Sequence, residues 1–347
     1  MSQYYDGTKL LSMMDINGKK PEIFMTTTNR SAGKTTYFNK MVINRFKKTG
    51  RKFGLVYRFN YELVECADKF FKDIHTLFFP KDTMTEKRRA NGIFVELFLN
   101  EKSCGYCVAL NYADQLKKFS HLLTDVDCLI FDEFQSETNH YCDREVSKFI
   151  SIHTSLARGG GQQVRYLPTY MISNAVSIIN PYYMSMGIAD RLQKDTNYLK
   201  GDGFVLEQGY YENVAELQVA SAFNRAFKNE QYVNYASQNV YLNDNESLIE
   251  KMNGANQYLV TIRKDGKNYA VKKFMDGIYY VDNVADETYP DKIVATANDQ
   301  NGEYRMVARG SIWLTVFRTA FELGMFRFKN QECKSLFFDI MRYDMLK

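Results

Sequence analysis

Apolar runs and helical-period stretches alternate along the first half of the chain. Glu22-Ile23-Phe24-Met25 reads as a strand, and residues 34–46 carry Phe38, Met41, Val42 and Phe46 at helical spacing. Residues 52–58 predict a second buried strand, and residues 61–71 a helix. Residues 91–98 and 106–110 are expected to pair as a hairpin around Asn100-Glu101-Lys102. Residues 127–134 form an apolar run ending in adjacent carboxylates, residues 144–157 a helix with Val146, Phe149, Ile150 and Leu156 on one side, and residues 167–174 a further strand. Strands alternating with helices predict a mainly parallel α/β sheet.

The pattern changes at both ends of this block. Residues 1–20 read as a polar lead-in closing with the turn Asn17-Gly18-Lys19-Lys20-Pro21. From 188 to 203 the chain turns polar, which suggests a domain edge, and residues 210–250 mix a helical signal at 214–226 with Asn/Gln/Tyr-rich stretches. Residues 258–263, 269–274 and 278–281 then predict a three-stranded meander, with Asp265-Gly266 as its first turn and helices at 312–323 and 332–345 after it. The expected domains are 1–203, a linker at 204–250, and a second α/β or α+β domain at 251–347.

Thr28-Asn29-Arg30-Ser31-Ala32-Gly33-Lys34-Thr35 lies between the first strand and the first helix. Backbone N–H groups curling around phosphate oxygens at a helix N-terminus, a lysine reaching the β/γ-phosphates and a hydroxyl for Mg²⁺ make a nucleotide phosphate loop. Gly33, Lys34 and Thr35 supply the last parts. The pattern ordinarily opens with glycine, where this chain has Thr28. The competing account, a Ser/Thr-rich turn before a helix, is tested by the acidic strand. A strand ending in Asp132-Glu133 brings its acids to the carboxyl edge of a parallel sheet, beside such a loop. There Asp132 would hold Mg²⁺ and Glu133 would orient and deprotonate a water; otherwise both are solvated acids capping a strand. Two further sites stay open from the residues alone. Arg158, before Gly159-Gly160-Gly161, either reaches a neighbour's nucleotide or serves as a C-terminal helix cation. Ser173 and Asn174 either sense a γ-phosphate or cap residues 175–180.

At 347 residues the chain has room for two domains, and 45% hydrophobic with 25% charged residues is a globular composition. No run approaches a membrane span and the N-terminus lacks signal-peptide order, so a cytoplasmic chain with no membrane partner is expected. Of six cysteines only Cys104-Gly105-Tyr106-Cys107 has metal or redox spacing, without a second pair to complete a zinc site. A net charge of +4 permits nucleic acid as a partner without arguing for it.

Together these motifs resemble the DNA encapsidation ATPases of small tailed phages, relatives of the large terminases. The match rests on Ile172-Ser173-Asn174-Ala175-Val176-Ser177-Ile178-Ile179-Asn180-Pro181-Tyr182, on Phe131-Asp132-Glu133-Phe134, on Glu145-Val146-Ser147 and on Gly324-Met325-Phe326-Arg327-Phe328. The resemblance implies an N-terminal P-loop ATPase domain of the additional-strand, catalytic-glutamate type with a mainly parallel sheet, a short helical linker, and a C-terminal domain resembling an RNase H-type nuclease that has lost its acids. It also implies ATP and Mg²⁺ as cofactors, held by Asn29, Arg30, Ser31, Ala32, Gly33, Lys34, Thr35, Thr36, Asp132, Ser173 and Asn174. Arg158 aligns with the family's trans-acting arginine, and Lys117 and Lys118 are both candidates for a second trans-acting cation. The implied partners are double-stranded DNA, the portal of the prohead, directly or through a packaging RNA or adaptor, and further copies of the chain in a ring, usually a pentamer. The implied location is the host cytoplasm, transiently at the portal vertex and not in the mature virion. Residues 259–263 contain no carboxylate, whereas a two-metal nuclease needs one in its first strand; no endonuclease activity is expected. A ring helicase or conjugative-type DNA pump is the rival expectation, and it should lack the C-terminal meander.

Overall fold

A computed structural model describes residues 4–138, 140–158, 163–189, 191–192, 196–209, 211, 213, 215–216, 220–226, 248–294, 297–307 and 311–346. These residues divide into two compact units. The first is drawn from Met1–Val176 and Asn197–Val240, the second from Ser177–Thr196 and Tyr241–Lys347.

The first unit is a nine-stranded sheet: β1 (Ile23–Thr28), β2 (Lys52–Tyr57), β3 (Met84–Arg89), β4 (Phe94–Leu99), β5 (Lys102–Ala109), β6 (Val126–Asp132), β7 (Thr169–Asn174), β8 (Tyr198–Gly201) and β9 (Phe204–Gln208). Their spatial order is β3-β4-β5-β2-β6-β7-β1-β9-β8. The strands from β5 to β9 run parallel, while β3–β4 and β8 add antiparallel edges. β7 thus stands between the phosphate-loop strand β1 and the acidic strand β6. Both faces of the central strands are covered, which is why they read as continuous apolar runs. On one face Phe24, Phe53, Ile130 and Ile172 join Phe38, Val42 and Ile43 of α2 (Lys34–Thr49) and Phe70, Phe71 and Ile74 of α3 (Cys66–Phe78) in a single core. On the other, α5 (Glu145–Leu156) lies against the short helix α4 (Ala113–Leu116), and its Phe149 packs on Phe131, with ring centroids 5.6 Å apart.

Several expectations shift. The lead-in is part of the core, because a short helix α1 (Thr8–Ser12) buries Leu10, and Tyr5 is buried with its hydroxyl donating to Glu207. The helix expected at 61–71 is a 3₁₀ turn at Asn60–Leu63 followed by α3. The boundary expected at 203 falls inside the β8–β9 hairpin, whose strand β9 pairs with β1. Most of 210–250 lies outside the described residues, as does the triple-glycine loop.

The second unit holds β10 (Asn256–Lys264), β11 (Lys267–Phe274), β12 (Tyr279–Asp282), β13 (Lys292–Val294), β14 (Arg305–Met306) and β15 (Phe326–Phe328) in the order β14-β13-β10-β11-β12-β15. β10, β11 and β12 are the expected antiparallel meander, flanked by parallel strands on each side. Phe317 and Phe321 of the helix Ile312–Glu322 and Phe337 of the helix Gln331–Leu346 pack with Phe326 and Phe328. The helix Gln331–Leu346 also packs against the short helix Pro181–Ser185, so residues just after β7 belong to this unit.

Candidate active site

Parallel register sets the carboxyl ends of three adjacent strands side by side: Thr28 of β1 is level with Asn174 of β7, and Asp132 of β6 with Ile172. Between β1 and α2 the chain turns through Ser31 at φ 63° and Gly33 at φ 93°, the latter the N-cap of α2. A glycine is at ease there, a serine less so. The turn exposes a cleft of about 300 Å³ lined by Arg30, Ser31, Gly33, Lys34, Thr35, Thr36, Asp132, Glu133, Ser173 and Asn174.

Thr28 ends the strand in ordinary extended pairing and is fully buried. Its hydroxyl donates to the Asn29 carbonyl at 3.0 Å and accepts from Lys34 Nζ at 2.7 Å. The departure from glycine therefore gives the lysine a side-chain acceptor. Lys34 also lies 3.4 Å from the Thr28 and Asn29 carbonyls and 3.2 Å from Asn174 Oδ1. Burial pushes its ammonium down to about 8, the Asp132 charge opposing and Arg30 assisting.

Thr35 Oγ1 donates to Asp132 Oδ2 at 2.8 Å. Burial raises the Asp132 carboxyl despite this bond and the Lys34 charge. Glu133 is raised by burial and then by the charges of Asp132 and Glu137. Its backbone, at φ 55°, is held from both sides: its N–H donates to Asp132 Oδ1 at 2.9 Å, and its carbonyl accepts from Arg58 Nη2 at 3.2 Å. Arg58 Nη2 also donates to the Phe134 carbonyl at 2.9 Å, while its Nε meets both oxygens of Glu145 at 3.1 and 2.9 Å. This buried pair, one residue past β2 and at the first turn of α5, fixes the backbone behind the acid pair.

Two of the expected residues, Asn29 and Ala32, lie outside the cleft lining, and Ser173 lines it with its hydroxyl already engaged. Asn29 is turned onto the Tyr211 backbone, accepting and donating at 3.1 Å. Ala32 is fully buried and its carbonyl accepts from Tyr5 N–H at 2.8 Å. Ser173 donates to the Asn174 carbonyl at 2.7 Å. Of the polar pair ending β7, it is Asn174 whose side chain bonds Lys34. Neither caps a following helix: Asn180 caps the helix Pro181–Ser185, and Val176 N–H is met by Gln135.

The family model of the podovirus DNA encapsidation protein, Gp16, matches residues 1–346. This chain belongs to that family. The DNA packaging protein of Bacillus phage phi29 is 24% identical over 318 residues, 90% of this chain and 91% of that one. The corresponding protein of Bacillus phage B103 is 25% identical over 320 residues, 90% and 94% of the two chains. A chain of the phi29 viral genome packaging motor assembly shares the fold, with TM-score 0.58, 21% identity and 99% of each chain covered.

In this encapsidation protein Arg158 is exposed and does not line the phosphate-loop cleft. It follows α5 and borders a separate cleft of about 590 Å³, together with Lys117, His121 and Ser155. Lys117, and not Lys118, lines that cleft. Among the described residues no three His, Cys, Asp or Glu side chains converge as a metal site, and no helix is long and apolar enough to cross a membrane. Arg58, Glu137 and Glu145 were not singled out as site residues by the sequence. Arg58 carries the same signal as Asp132, a charge at the carboxyl end of a buried strand. The acids that meet it and Arg30 come from a loop and a helix start without strand periodicity.

Proposed function

We propose that this protein is an ATP-driven motor that moves double-stranded viral DNA into a preformed prohead, with ATP hydrolysed between copies in a ring. One observation carries the reading: Lys34, Thr35, Asp132, Glu133 and Asn174 converge in one cleft at the carboxyl edge of the sheet, while Arg158 borders another. A hydroxyl and a carboxylate 2.8 Å apart are the hard oxygen donors that Mg²⁺ takes, usually few per protein site. When bound, the magnesium nucleotide supplies the phosphoryl group and much of the charge that neutralises it. Lys34 and the N–H groups of the loop and α2 start hold phosphate oxygens. Glu133, its carboxyl raised and its backbone clamped by Arg58, orients water and accepts its proton. Arg158 of a neighbouring copy stabilises charge developing in the transition state, worth about 10³–10⁵ in rate. Asn174, bonded to Lys34, reports the γ-phosphate to the chain beyond β7.

The second unit fits an RNase H-like sheet without nuclease chemistry. The centre of β10 carries Thr261, whose hydroxyl is engaged by Tyr258 and the Asp286 carbonyl, where a two-metal nuclease needs a carboxylate. Its role is to grip DNA or dock on the portal, directly or through an RNA or adaptor, in the host cytoplasm. DNA held by its phosphates should release steeply with salt and independently of sequence.

The test is ATP turnover in mixtures of wild type and Arg158→Ala, with duplex DNA, beside Glu133→Gln alone. Turnover should fall faster than the wild-type fraction, and Glu133→Gln should lose about 10²-fold or more while still binding ATP. A fall strictly in proportion removes the coupling between copies, and an Arg158→Ala and Glu133→Gln mixture that restores no turnover sinks the trans arginine. Unchanged turnover in Glu133→Gln sinks the base.

A further inference from the structure

Glu137 lies in the loop after β6. Its Oε1 accepts from the Arg30 guanidinium and, at 3.3 Å, from Asn174 Nδ2. The same Asn174 amide uses its Oδ1 to accept from Lys34 at 3.2 Å. One carboxylate therefore joins the phosphate loop to the polar end of β7, through two groups that line the phosphate cleft. The Arg30–Glu137 pair is about one-third exposed on each side, an environment in which an ion pair adds little to stability. Its position over the loop gives it another consequence. A carboxylate and a terminal phosphoryl group are both anionic acceptors, and an arginine fork and an amide N–H₂ serve either one.

We infer that Glu137 is a specificity-determining residue of the nucleotide site: it competes with the γ-phosphate for Arg30 and Asn174, so a triphosphate must displace it and a diphosphate need not. The inference rests on the nucleotide reading above. The competition also acts on the product. After the γ-phosphoryl bond is broken, Glu137 takes back Arg30 and Asn174 and so favours departure of inorganic phosphate, returning the subunit to a state ready for exchange. It follows that the chain holds ATP less tightly than its cationic groups alone would allow, as suits a motor that must turn over.

The experiment is equilibrium titration of the full chain with a non-hydrolysable triphosphate analogue and with ADP, both with Mg²⁺, for wild type, Glu137→Gln, Glu137→Ser, Arg30→Gln and Arg30→Gln/Glu137→Gln. Both Glu137 variants should bind the triphosphate about tenfold tighter, the margin between a charge-assisted and a neutral hydrogen bond, and ADP within about twofold of wild type. In the Arg30→Gln background the gain should shrink markedly, because the charged one of the two shared partners is gone and only Asn174 remains. Equal tightening for both nucleotides, weaker triphosphate binding, or a gain undiminished by Arg30→Gln would each overturn the competition. Failure of wild type to bind either nucleotide would remove the nucleotide reading itself, while normal wild-type binding with unresponsive Glu137 variants would remove only this inference. ADP binding also reports folding, since a variant that fails to fold loses both ligands.

Discussion

The ionisable groups of the candidate site are shifted in one sense, and a set of paired groups in the second unit in the other. In the first unit burial drives Lys34 down to about 8 and Asp132 and Glu133 up, against whatever partners they have. In the second, burial acts on Asp282 too, but hydrogen bonds from Lys272 and Lys329 outweigh it and the carboxyl ends below its ordinary value. Glu332 is lowered by its bond from Lys267, and Lys267, Lys292 and Lys329 are raised by carboxylate partners. That set is neutralised by its own partners, whereas Glu322 of the same unit is raised by burial. The first unit holds charges whose ionised forms are disfavoured, and it does so at one sheet edge. Structural ion pairs settle their own electrostatics, whereas a site for a polyanion and a cation has to keep unbalanced groups in place.

The buried Arg58–Glu145 pair is the strongest way to break this contrast. Arg58→Leu takes the counter-charge from the fully buried Glu145 carboxylate, which should cost the first unit about 3–5 kcal/mol and loosen the Glu133 backbone. Lys264→Met removes one partner of a quarter-exposed pair with Asp339 and should cost the second unit about 0–1 kcal/mol. The sole tryptophan, Trp313, lies in the second unit, so denaturation followed by its fluorescence reports that unit while circular dichroism reports both. Arg58→Leu should shift the dichroism transition and leave that of Trp313 in place. Similar costs for the two substitutions would end the distinction between buried and self-neutralised pairs.

A smaller effect of opposite sign is expected at Lys34. Its folded value near 8 lies below the unfolded 10.5, so below pH 8 the folded chain holds a proton at a cost the unfolded chain does not bear. That cost is full below pH 8 and fades as pH rises toward 10.5. Lys34→Met should therefore abolish nucleotide binding yet stabilise the first unit at pH 7 by about 1–3 kcal/mol, after Thr28 and Asn174 lose a donor. Denaturation at pH 7, 9 and 10.5 should show the gain shrinking as pH rises. A gain independent of pH would mean that packing, not charge, is what the substitution changed.

Where the sequence is legible, the reason is burial on both faces of a strand. The runs 22–25, 127–134 and 167–174 are mainly apolar because helices cover the sheet, with Thr169 itself buried, and the polar ends of the last two mark the edge where the site lies. β3 is different: Met84-Thr85-Glu86-Lys87-Arg88-Arg89 alternates between half-buried and exposed positions and carries no apolar run. Its pairing with β4 identifies it as a strand, and its Glu86 side chain accepts from Ala67 N–H at the start of α3. The split of the second unit, with residues 177–196 joining a domain that otherwise starts near 241, depends on packing of residues far apart in sequence. Arg58 and Glu145 meet for the same reason, 87 positions apart, and no local period encodes such a pair.

Backbone conformation sharpens the contrast at the smallest scale. Around the candidate site Ser31, Glu133 and Arg144 adopt left-handed φ of 63°, 55° and 50°, residue types that do not favour it. Among the described residues of the second unit the one non-glycine with positive φ is Asp265, at 50° in the tight turn before Gly266, where aspartate is common. Ser31→Gly should therefore stabilise the first unit by up to about 1 kcal/mol, the relief of a left-handed serine less the extra freedom glycine brings to the unfolded chain. Asp265→Gly should change the Trp313 transition by less. Nucleotide affinity separates two meanings of the serine strain. If Ser31→Gly gains stability and binds the triphosphate as wild type does, the strain is incidental to the loop. A stability gain bought with weaker binding would mean that the serine holds the loop N–H groups in the geometry that phosphate requires.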